Sequence, residues 1–276
     1  MAAFLSIQKC GSVTAIFAMS LLLCCQPGLA VADGPGAESL ESGLESAEFY
    51  DKGSPGALPI HVLKIDPRKC RFKLLSASER EGGPRSLKDW SEEFGLDAVI
   101  NASMYQEENL DRSTGFMKNF KHLNNPTINS RYGAFIVFNP VDPLFPPVQF
   151  IDKRLQPDWR QRIEEYHTVI QNYRMISAGE QTGWYQDQKA HSTAALAMDG
   201  GGNVLFIFGS MPRTTNDFID LLLKLPLDIR DAMYLEGGAY AGLYWRDAGS
   251  GSAGGAGIDR LPSLKVPNVI GVVCRK

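Results

Sequence analysis

Short apolar stretches, separated by polar or glycine- and proline-containing segments, recur along the chain from residue 57 onward. Alternation and β-branched content predict strands over 58–65, 70–76, 98–100, 132–138, 168–173, 193–198, 204–209, 232–235 and 267–273. Amphipathic spacing with capping residues predicts helices over 86–94, 158–167 and 216–225. Because strands and helices do not alternate regularly, the pattern indicates an α+β fold with a mixed, mostly antiparallel sheet and about three helices.

The segments between these elements are predicted to be turns and loops. Residues 199–203 are rich in glycine and join two apolar stretches, which is typical of a hairpin. Polar composition predicts loops over 107–114 and 119–131, and the Gly/Ser/Ala-rich range 247–257 is predicted to be a flexible loop.

The N-terminal 32 residues have the pattern of an export signal. Lys9 is the only charge before Asp33, an apolar run covers 11–24, and residues 30–32 offer an A-x-A cleavage site. We therefore predict a signal peptide over 1–32, a flexible linker over 33–56 and one folded domain over 57–276. A lipoprotein anchored through Cys24 or Cys25 is the alternative, and the resulting location is periplasmic or secreted.

Composition narrows the class of partner. Charged residues make up 21% of the chain and its formal net charge is −3, which argues against nucleic acid as the partner. No segment after the signal is long and apolar enough to span a bilayer. The mature part keeps only Cys70 and Cys274. In an exported chain these two could form a disulfide between an early strand and the last one, the alternative being two separate buried thiols.

One candidate site follows the predicted strand 232–235, where Glu236 precedes Gly237 and Gly238. Glycines let backbone N–H groups approach a ligand closely, and successive free N–H groups can bind an anion. A carboxylate at this place is therefore a candidate catalytic group. The alternative is a tight turn in which Glu236 lies at a solvated rim.

A second candidate stretch begins at the end of the predicted strand 98–100. It reads Asn101-Ala-Ser-Met-Tyr105, and Gly115 opens the next apolar segment. His191 stands just before the central hairpin, and because histidine side chains can donate a proton, it could act as an acid or a phosphate donor. A surface or capping role is the alternative for this histidine.

The order of these stretches resembles that of the phosphodiester glycosidase family. The 101–105 block followed by Thr-Gly-Phe at 114–116 is similar to that family's Asn-Ala-Gly-Met-Phe/Tyr block and the Gly-Leu behind it. Residues 194–208 resemble its paired strands, 233–244 its Leu-Asp-Gly-Gly/Ser block, and 267–273 its closing strand. The resemblance covers the chain from about residue 58 to the end.

Several positions depart from the family pattern. The acid before the double glycine is Glu236 instead of aspartate, and Gln106 stands where many members have histidine. Many members also have an arginine opening the central hairpin, where this chain has 191–193.

The resemblance implies hydrolysis of a sugar-1-phosphodiester in envelope or extracellular glycans, so the expected partner is a glycan or sugar-phosphodiester substrate. Glu236 would be the base or cation stabiliser, with Asn101 and His191 also catalytic. The remaining residues would bind substrate: Gly237, Gly238, Tyr105, Gly115, Arg131 and Tyr244. Arg174 and Arg246 are further phosphate-holding candidates by residue type.

Two points stay open. No cofactor is evident and no His/Cys cluster has zinc spacing, but a divalent cation, Ca²⁺ or Mg²⁺, held by Glu236 and neighbouring oxygens is an alternative. The departures also favour a second reading, a catalytically diverged envelope module that binds a glycan or a protein on the same fold. An exported nuclease or phosphatase is a third, weaker reading, against which the acidic balance counts.

Overall fold

The computed structural model of the protein describes residues 30–31, 43–50, 58–184, 189–246, 253–257 and 264–274. The α-helices in this part are α1 (Leu87–Phe94), α2 (Trp159–Glu164) and α3 (Thr215–Lys224), and a 3₁₀ turn covers Gly238–Tyr240. The strands are β1 (Ala30–Val31), β2 (Leu44–Tyr50), β3 (Ile60–Ile65), β4 (Cys70–Ser76), β5 (Ala98–Asn101), β6 (Tyr105–Gln106), β7 (Asn109–Ser113), β8 (Met117–Asn119), β9 (His122–Asn125), β10 (Ala134–Pro140), β11 (Val148–Asp152), β12 (Tyr166–Asn172), β13 (Arg174–Ser177), β14 (Glu180–Gln181), β15 (His191–Asp199), β16 (Val204–Arg213), β17 (Ile229–Gly237), β18 (Gly242–Arg246), β19 (Ala253–Gly257) and β20 (Asn268–Cys274).

These strands form three main sheets. An eight-stranded sheet has the order β1-β2-β3-β16-β15-β17-β13-β14, and two five-stranded sheets have the orders β11-β10-β12-β8-β9 and β19-β18-β5-β20-β4. Strands β6 and β7 form a small separate ribbon. All the strand pairs within the described residues are antiparallel. The predicted α+β class with a mostly antiparallel sheet is confirmed.

One apolar core lies between the three sheets. It takes alternate residues from each, for example Phe206 from the eight-stranded sheet, Ile136 from the sheet around β10 and Ile270 from the sheet around β5. The period-two alternation of a strand directs the intervening residues to the opposite face. That outer face is also apolar in each sheet, so it needs a second cover.

Each outer face is covered by one helix. Phe218 and Leu222 of α3 pack on the eight-stranded sheet, whereas Trp90 of α1 packs on the sheet that contains β5. Trp159 and Ile163 of α2 pack on the sheet that contains β10. Each of the three predicted helices thus places its apolar face on one sheet, as its amphipathic spacing implies.

Local capping fixes the ends of two of these helices. The Ser86 hydroxyl accepts a hydrogen bond from the backbone N–H of Asp89, and Thr214 does the same for Asp217. Gly95 ends α1 in the left-handed conformation, with φ of 61°. Ser86 and Gly95 therefore bound α1, and Thr214 begins α3.

Three predicted loops contain strands. Polar β7 lies within 107–114 and pairs with β6, and polar β9 lies within 119–131 and pairs with β8. The glycine-rich strand β19 lies within 247–257 and pairs with β18. These loop predictions are wrong because pairing with a neighbouring strand, and not local composition, forms the strands. Strand β11 was also not predicted.

The predicted linker over 33–56 contains strand β2, which pairs with β3 along its length. Leu44 and Phe49 of this strand are buried. Residues 44–50 therefore form a paired strand and not the flexible linker that was predicted for them. The predicted signal peptide lies outside the described residues except for Ala30 and Val31. Within the described residues, no helix combines the length and apolar character needed to cross a bilayer.

Cys70 and Cys274 form a disulfide, which confirms the predicted pairing. The two residues are opposite each other in the β4–β20 pair, with Cα atoms 4.0 Å apart. They are separated by 204 positions in the sequence. The bond therefore ties the start of the described domain to its last strand.

We expect loss of this disulfide to destabilise the fold. Closing so long a loop lowers the entropy of the unfolded chain, and its removal should reduce the free energy of unfolding by about 2–5 kcal/mol. Thermal unfolding of wild type with and without reductant, beside a Cys70→Ala/Cys274→Ala variant, measures the effect. Reductant should lower the wild-type Tm but leave the Tm of the variant unchanged. An equal Tm for all samples would contradict a stabilising role for the bond.

Candidate active site

Glu236 lies near the end of β17, beside β15 in the middle of the eight-stranded sheet. A register shift precedes it, because Ala194 is opposite Glu236 and Ala195 is opposite Tyr234, which leaves Leu235 as an extra residue. The carbonyl of Leu235 accepts a hydrogen bond of 3.3 Å from the buried Asn172 side chain. Such a bulge redirects the side chains beside it, and here it precedes the candidate catalytic carboxyl.

The Glu236 carboxyl is mostly removed from water. Burial raises its pKa to about 7, and the hydrogen bond from the Gly237 N–H, 2.8 Å from Oε1, opposes this shift only in part. A carboxyl with a pKa near neutrality can exchange a proton at physiological pH. Glu236 is thus half-buried at the end of its strand and not fully solvated.

Tyr105 and Tyr132 lie near this carboxyl, and Tyr240 packs on Tyr105. The rings of Tyr105 and Tyr240 meet edge to face with centroids 5.3 Å apart. Burial and then the charge of Glu236 raise the pKa of Tyr105, and burial is also the main cause that raises the pKa of Tyr132, to which Glu236 adds. The Tyr105 hydroxyl lies beside that of Tyr240 but makes no hydrogen bond of regular geometry within the described residues.

His191 and Tyr234 lie against the backbone of Gly237, the residue after Glu236. A Cβ atom on Gly237 would lie 2.0 Å from the Tyr234 hydroxyl and 3.0 Å from His191 Nδ1. Only glycine therefore permits this close approach of backbone to the two side chains. His191 Nδ1 also lies 2.9 Å from the carbonyl of Ser192. The structure thus places His191 beside Gly237, and Gly237 follows Glu236 directly.

Asn101 holds the turn that follows Glu236. Its amide nitrogen donates to the carbonyl of Tyr240 at 2.9 Å, and its amide oxygen accepts from the Gly242 N–H at 2.8 Å. The Ser192 hydroxyl donates to the carbonyl of Gly238, which has a φ of 69°. Because the Asn101 side chain is buried and uses both its polar atoms on backbone, it fixes the site's geometry and faces no substrate in this arrangement.

A row of aromatic rings adjoins Glu236 and was not predicted from the sequence. Ring centroids are 4.3 Å apart for Tyr132 and Tyr173, 5.2 Å for Tyr173 and Trp184, and 5.4 Å for Trp184 and Tyr234. The four residues come from three separate parts of the chain. Individually they look like core aromatics, and no local pattern signals that they meet.

Two predicted substrate-binding residues are placed elsewhere. Tyr244 is buried in the cluster beneath α1, on the face of β18 opposite to the shared core. Gly115 is buried against β12, where a Cβ would lie 2.3 Å from the carbonyl oxygen of Gln171 and 2.8 Å from the Tyr132 ring. Their burial does not fit contact with substrate. Gly115 instead lets Tyr132 pack close to the backbone.

The three arginine candidates differ in their partners. Arg174 forms an ion pair with the buried Asp152 at 2.5 Å, and Arg246 pairs with Asp97 at 3.1 Å. Arg131 is exposed and adds its charge to the surroundings of the Tyr132 hydroxyl. Among the described residues, no group of three or more His, Cys, Asp or Glu side chains could hold a metal ion.

Comparison with solved structures identifies proteins of similar fold. The chain superposes on the catalytic domain of zebrafish N-acetylglucosamine-1-phosphodiester alpha-N-acetylglucosaminidase, auto-inhibited by its pro-peptide, with a TM-score of 0.60 and 13% identity, covering 90% of this chain and 88% of that one. A Synechocystis protein gives a TM-score of 0.60 and 13% identity, covering 88% of this chain and 65% of that one. A Burkholderia pseudomallei protein gives a TM-score of 0.53 and 9% identity, covering 84% of this chain and 75% of that one.

Sequence comparison adds the family. None of the curated protein sequences matches this chain. The sequence model of the phosphodiester glycosidase family matches residues 94–273, which include strand β5 with Asn101, the central hairpin and Glu236. The resemblance predicted from the ordered sequence blocks is therefore confirmed, and the chain belongs to the phosphodiester glycosidase family.

Proposed function

We propose that this protein hydrolyses the bond between an anomeric carbon and the phosphate of a sugar-1-phosphodiester. The observation that supports this most directly is the half-buried Glu236 carboxyl, which lies near Tyr105 and Tyr132 and whose pKa burial raises to about 7. Family membership makes this reaction class the first to test. Fold likeness alone would not be sufficient, since one fold can carry many activities.

In the proposed reaction the C1–O bond breaks and its electron pair leaves with the phosphate, which departs as a phosphate monoester. Positive charge then develops on C1 and the ring oxygen, as in other glycoside hydrolyses. A water oxygen bonds to C1 while ionised Glu236 accepts the proton of that water and stabilises the cation. Because phosphate is already a good leaving group, this route does not need a strong general acid.

The neighbouring residues suit a sugar and a developing cation. The row formed by Tyr132, Tyr173, Trp184 and Tyr234 offers ring faces and edges on which a sugar could stack. His191, beside Gly237, is the candidate proton donor to the departing phosphate. The Gly237 N–H already donates to Glu236, so the N–H groups that follow it are the candidates to bind a substrate oxygen.

The proposal also assigns a role to Asn101 and a location to the protein. Asn101 is a positioning residue, because its contacts hold the turn after Glu236.

We also propose that the protein is exported and acts on envelope or extracellular glycans. The sequence pattern of residues 1–32 and the Cys70–Cys274 disulfide support export, since disulfides persist in oxidising compartments. A glycan-binding module that has lost catalysis is the alternative on this fold.

The first prediction is that Glu236→Gln abolishes sugar release. The amide keeps the shape of the side chain but cannot accept a proton, so we expect kcat to fall at least about 100-fold. Release of free N-acetylglucosamine from a panel of N-acetylglucosamine-1-phosphodiesters measures it. Glu180→Gln, on exposed β14, is the matched control and should retain full activity. If Glu236→Gln turns over substrate at the wild-type rate, Glu236 is not the catalytic group. If the wild type binds glycans without turnover, the glycan-binding module is favoured.

The second prediction concerns the pH dependence of activity. A base must be ionised, and the pKa of Glu236 is raised to about 7. We therefore expect kcat/KM to rise with pH and to level off above about 7, falling tenfold for each pH unit well below it. A profile of kcat/KM from pH 5 to 9 measures this. A plateau that extends down to pH 5 would mean that Glu236 is not the group whose ionisation limits the reaction.

The third prediction concerns stability. A carboxyl whose pKa is raised on folding stabilises the fold only at pH values where it is protonated, and it opposes folding once it is ionised. Glu236→Gln should therefore raise the free energy of unfolding by about 1–3 kcal/mol at pH 8. At pH 4, where the wild-type carboxyl is protonated, the two proteins should unfold alike. Thermal unfolding at both pH values tests this, and a variant that is less stable than wild type at pH 8 would contradict a desolvated carboxylate.

A further inference from the structure

A polar cleft of about 420 Å³ lies on the surface formed by β6, β7 and the segment after β9. Amide, hydroxyl and guanidinium side chains form most of its wall, and Ile128 is the one apolar side chain that lines it. Gln106, Arg112, Asn125 and Asn129 are the lining residues that matter here. Of the lining residues, Thr114 belongs to the sequence blocks that resemble the family, and Gln106 stands where many members have histidine.

The cleft adjoins the Glu236 site at two points. Gln106 follows Tyr105, whose pKa is raised in part by the charge of Glu236. Thr114, which also lines the cleft, accepts a hydrogen bond of 2.9 Å from the hydroxyl of Tyr132, another neighbour of Glu236. A ligand that reaches Glu236 between these two tyrosines can therefore extend into the cleft.

Arg112 supplies the positive charge of this cleft. Its Nε is buried and has no hydrogen-bond partner, and its guanidinium makes one long hydrogen bond, 3.3 Å, to the side-chain oxygen of Asn125. Within the described residues it forms no ion pair with a carboxylate, unlike Arg174 and Arg246. A half-buried guanidinium with spare donors is suited to bind an anion, and phosphate matches its fork of N–H groups.

The amides around Arg112 are held in place by the backbone. Asn125 donates to the carbonyl of Ser113 at 2.8 Å and accepts from the N–H of Thr127 at 2.9 Å. The Asn129 side chain accepts from the N–H of Arg131, and Gln106 donates to Ser113 at 3.0 Å. A wall that is ordered before binding loses little conformational entropy when a polar ligand arrives.

We propose that this cleft binds the phosphate of the substrate through Arg112, and beyond it the group that leaves with the phosphate, which carries hydroxyls. The polar wall favours a sugar or polyol over an alkyl chain, because apolar ligands need apolar walls. The proposal rests on the proposed hydrolysis, and it names Arg112 as the cation in a chain that lacks an arginine at the start of its central hairpin.

Binding to the full chain tests the cleft without relying on turnover. The probes are inorganic phosphate and glycerol 3-phosphate, with affinity measured by calorimetry. We expect Arg112→Gln to weaken the binding of both at least about tenfold, because a charge-assisted hydrogen bond contributes about 1.5–3 kcal/mol, and Arg112→Lys to recover part of the loss. Arg71→Gln, an exposed arginine on β4, is the matched control and should bind as wild type does.

Turnover tests the leaving group. The substrates are the glycerol and the propyl phosphodiesters of N-acetylglucosamine 1-phosphate. Wild type should prefer the glycerol compound at least about fivefold in kcat/KM, and Arg112→Gln should raise KM about tenfold with a smaller change in kcat. Equal kcat/KM for the two compounds would overturn the hydroxylated leaving group. A loss of phosphate binding in Arg131→Gln but not in Arg112→Gln would overturn the role of Arg112.

The outcomes separate this inference from the proposed function. Binding of phosphate through Arg112 without hydrolysis of any diester would contradict the function and leave the cleft assigned. Hydrolysis that is unaffected by Arg112→Gln would support the proposed function and contradict the role of the cleft. The absence of both phosphate binding and hydrolysis would overturn both proposals. Because Arg112→Gln could also disturb folding, its Tm is measured, and Arg112→Lys serves as the test variant if the Tm of Arg112→Gln falls.

Discussion

The pairing of β15 with β17 is the constraint on which the rest of the structure depends. These two strands lie in the middle of the eight-stranded sheet, and their inward residues, such as Leu196 and Met233, enter the core shared by all three sheets. One extra residue in β17, Leu235, interrupts this pairing just before Glu236. The apolar core holds the strands rigid on one side of the bulge, so the carboxyl is fixed at a defined place and depth.

The site is assembled from segments that belong to different sheets. Asn101 at the end of β5 binds the turn after β17, and Asn172 at the end of β12 binds the carbonyl of Leu235. Thus each of the two five-stranded sheets supplies one buried amide that holds the segment around Glu236. The Cys70–Cys274 bond fastens the edge of the sheet that carries Asn101.

The surroundings of Glu236 oppose its charge and so work against stability. Burial raises its pKa, and the Gly237 N–H, at 2.8 Å, is the one hydrogen-bond donor found for it among the described residues. Arg174, which could have neutralised a carboxylate, is instead paired with Asp152. A site with a strained or unpaired group is typical of function, because selection for stability alone would remove it.

The sequence by itself determined the strands and helices with strong apolar periodicity and the resemblance to the family, and it singled out Glu236 as a candidate. These follow from local patterns, because side-chain period and capping chemistry act within a few residues. The tertiary structure alone decided that Asn101 binds a turn, that Tyr244 is buried beneath α1, that four aromatic rings form a row, and that Arg112 forms no ion pair with a carboxylate among the described residues. It also decided the polar strands β7 and β9. The contacts of Asn101, Tyr244 and the aromatic row join residues distant in sequence, which no local pattern encodes, whereas β7 and β9 pair with adjacent strands and escape prediction because their residues are polar.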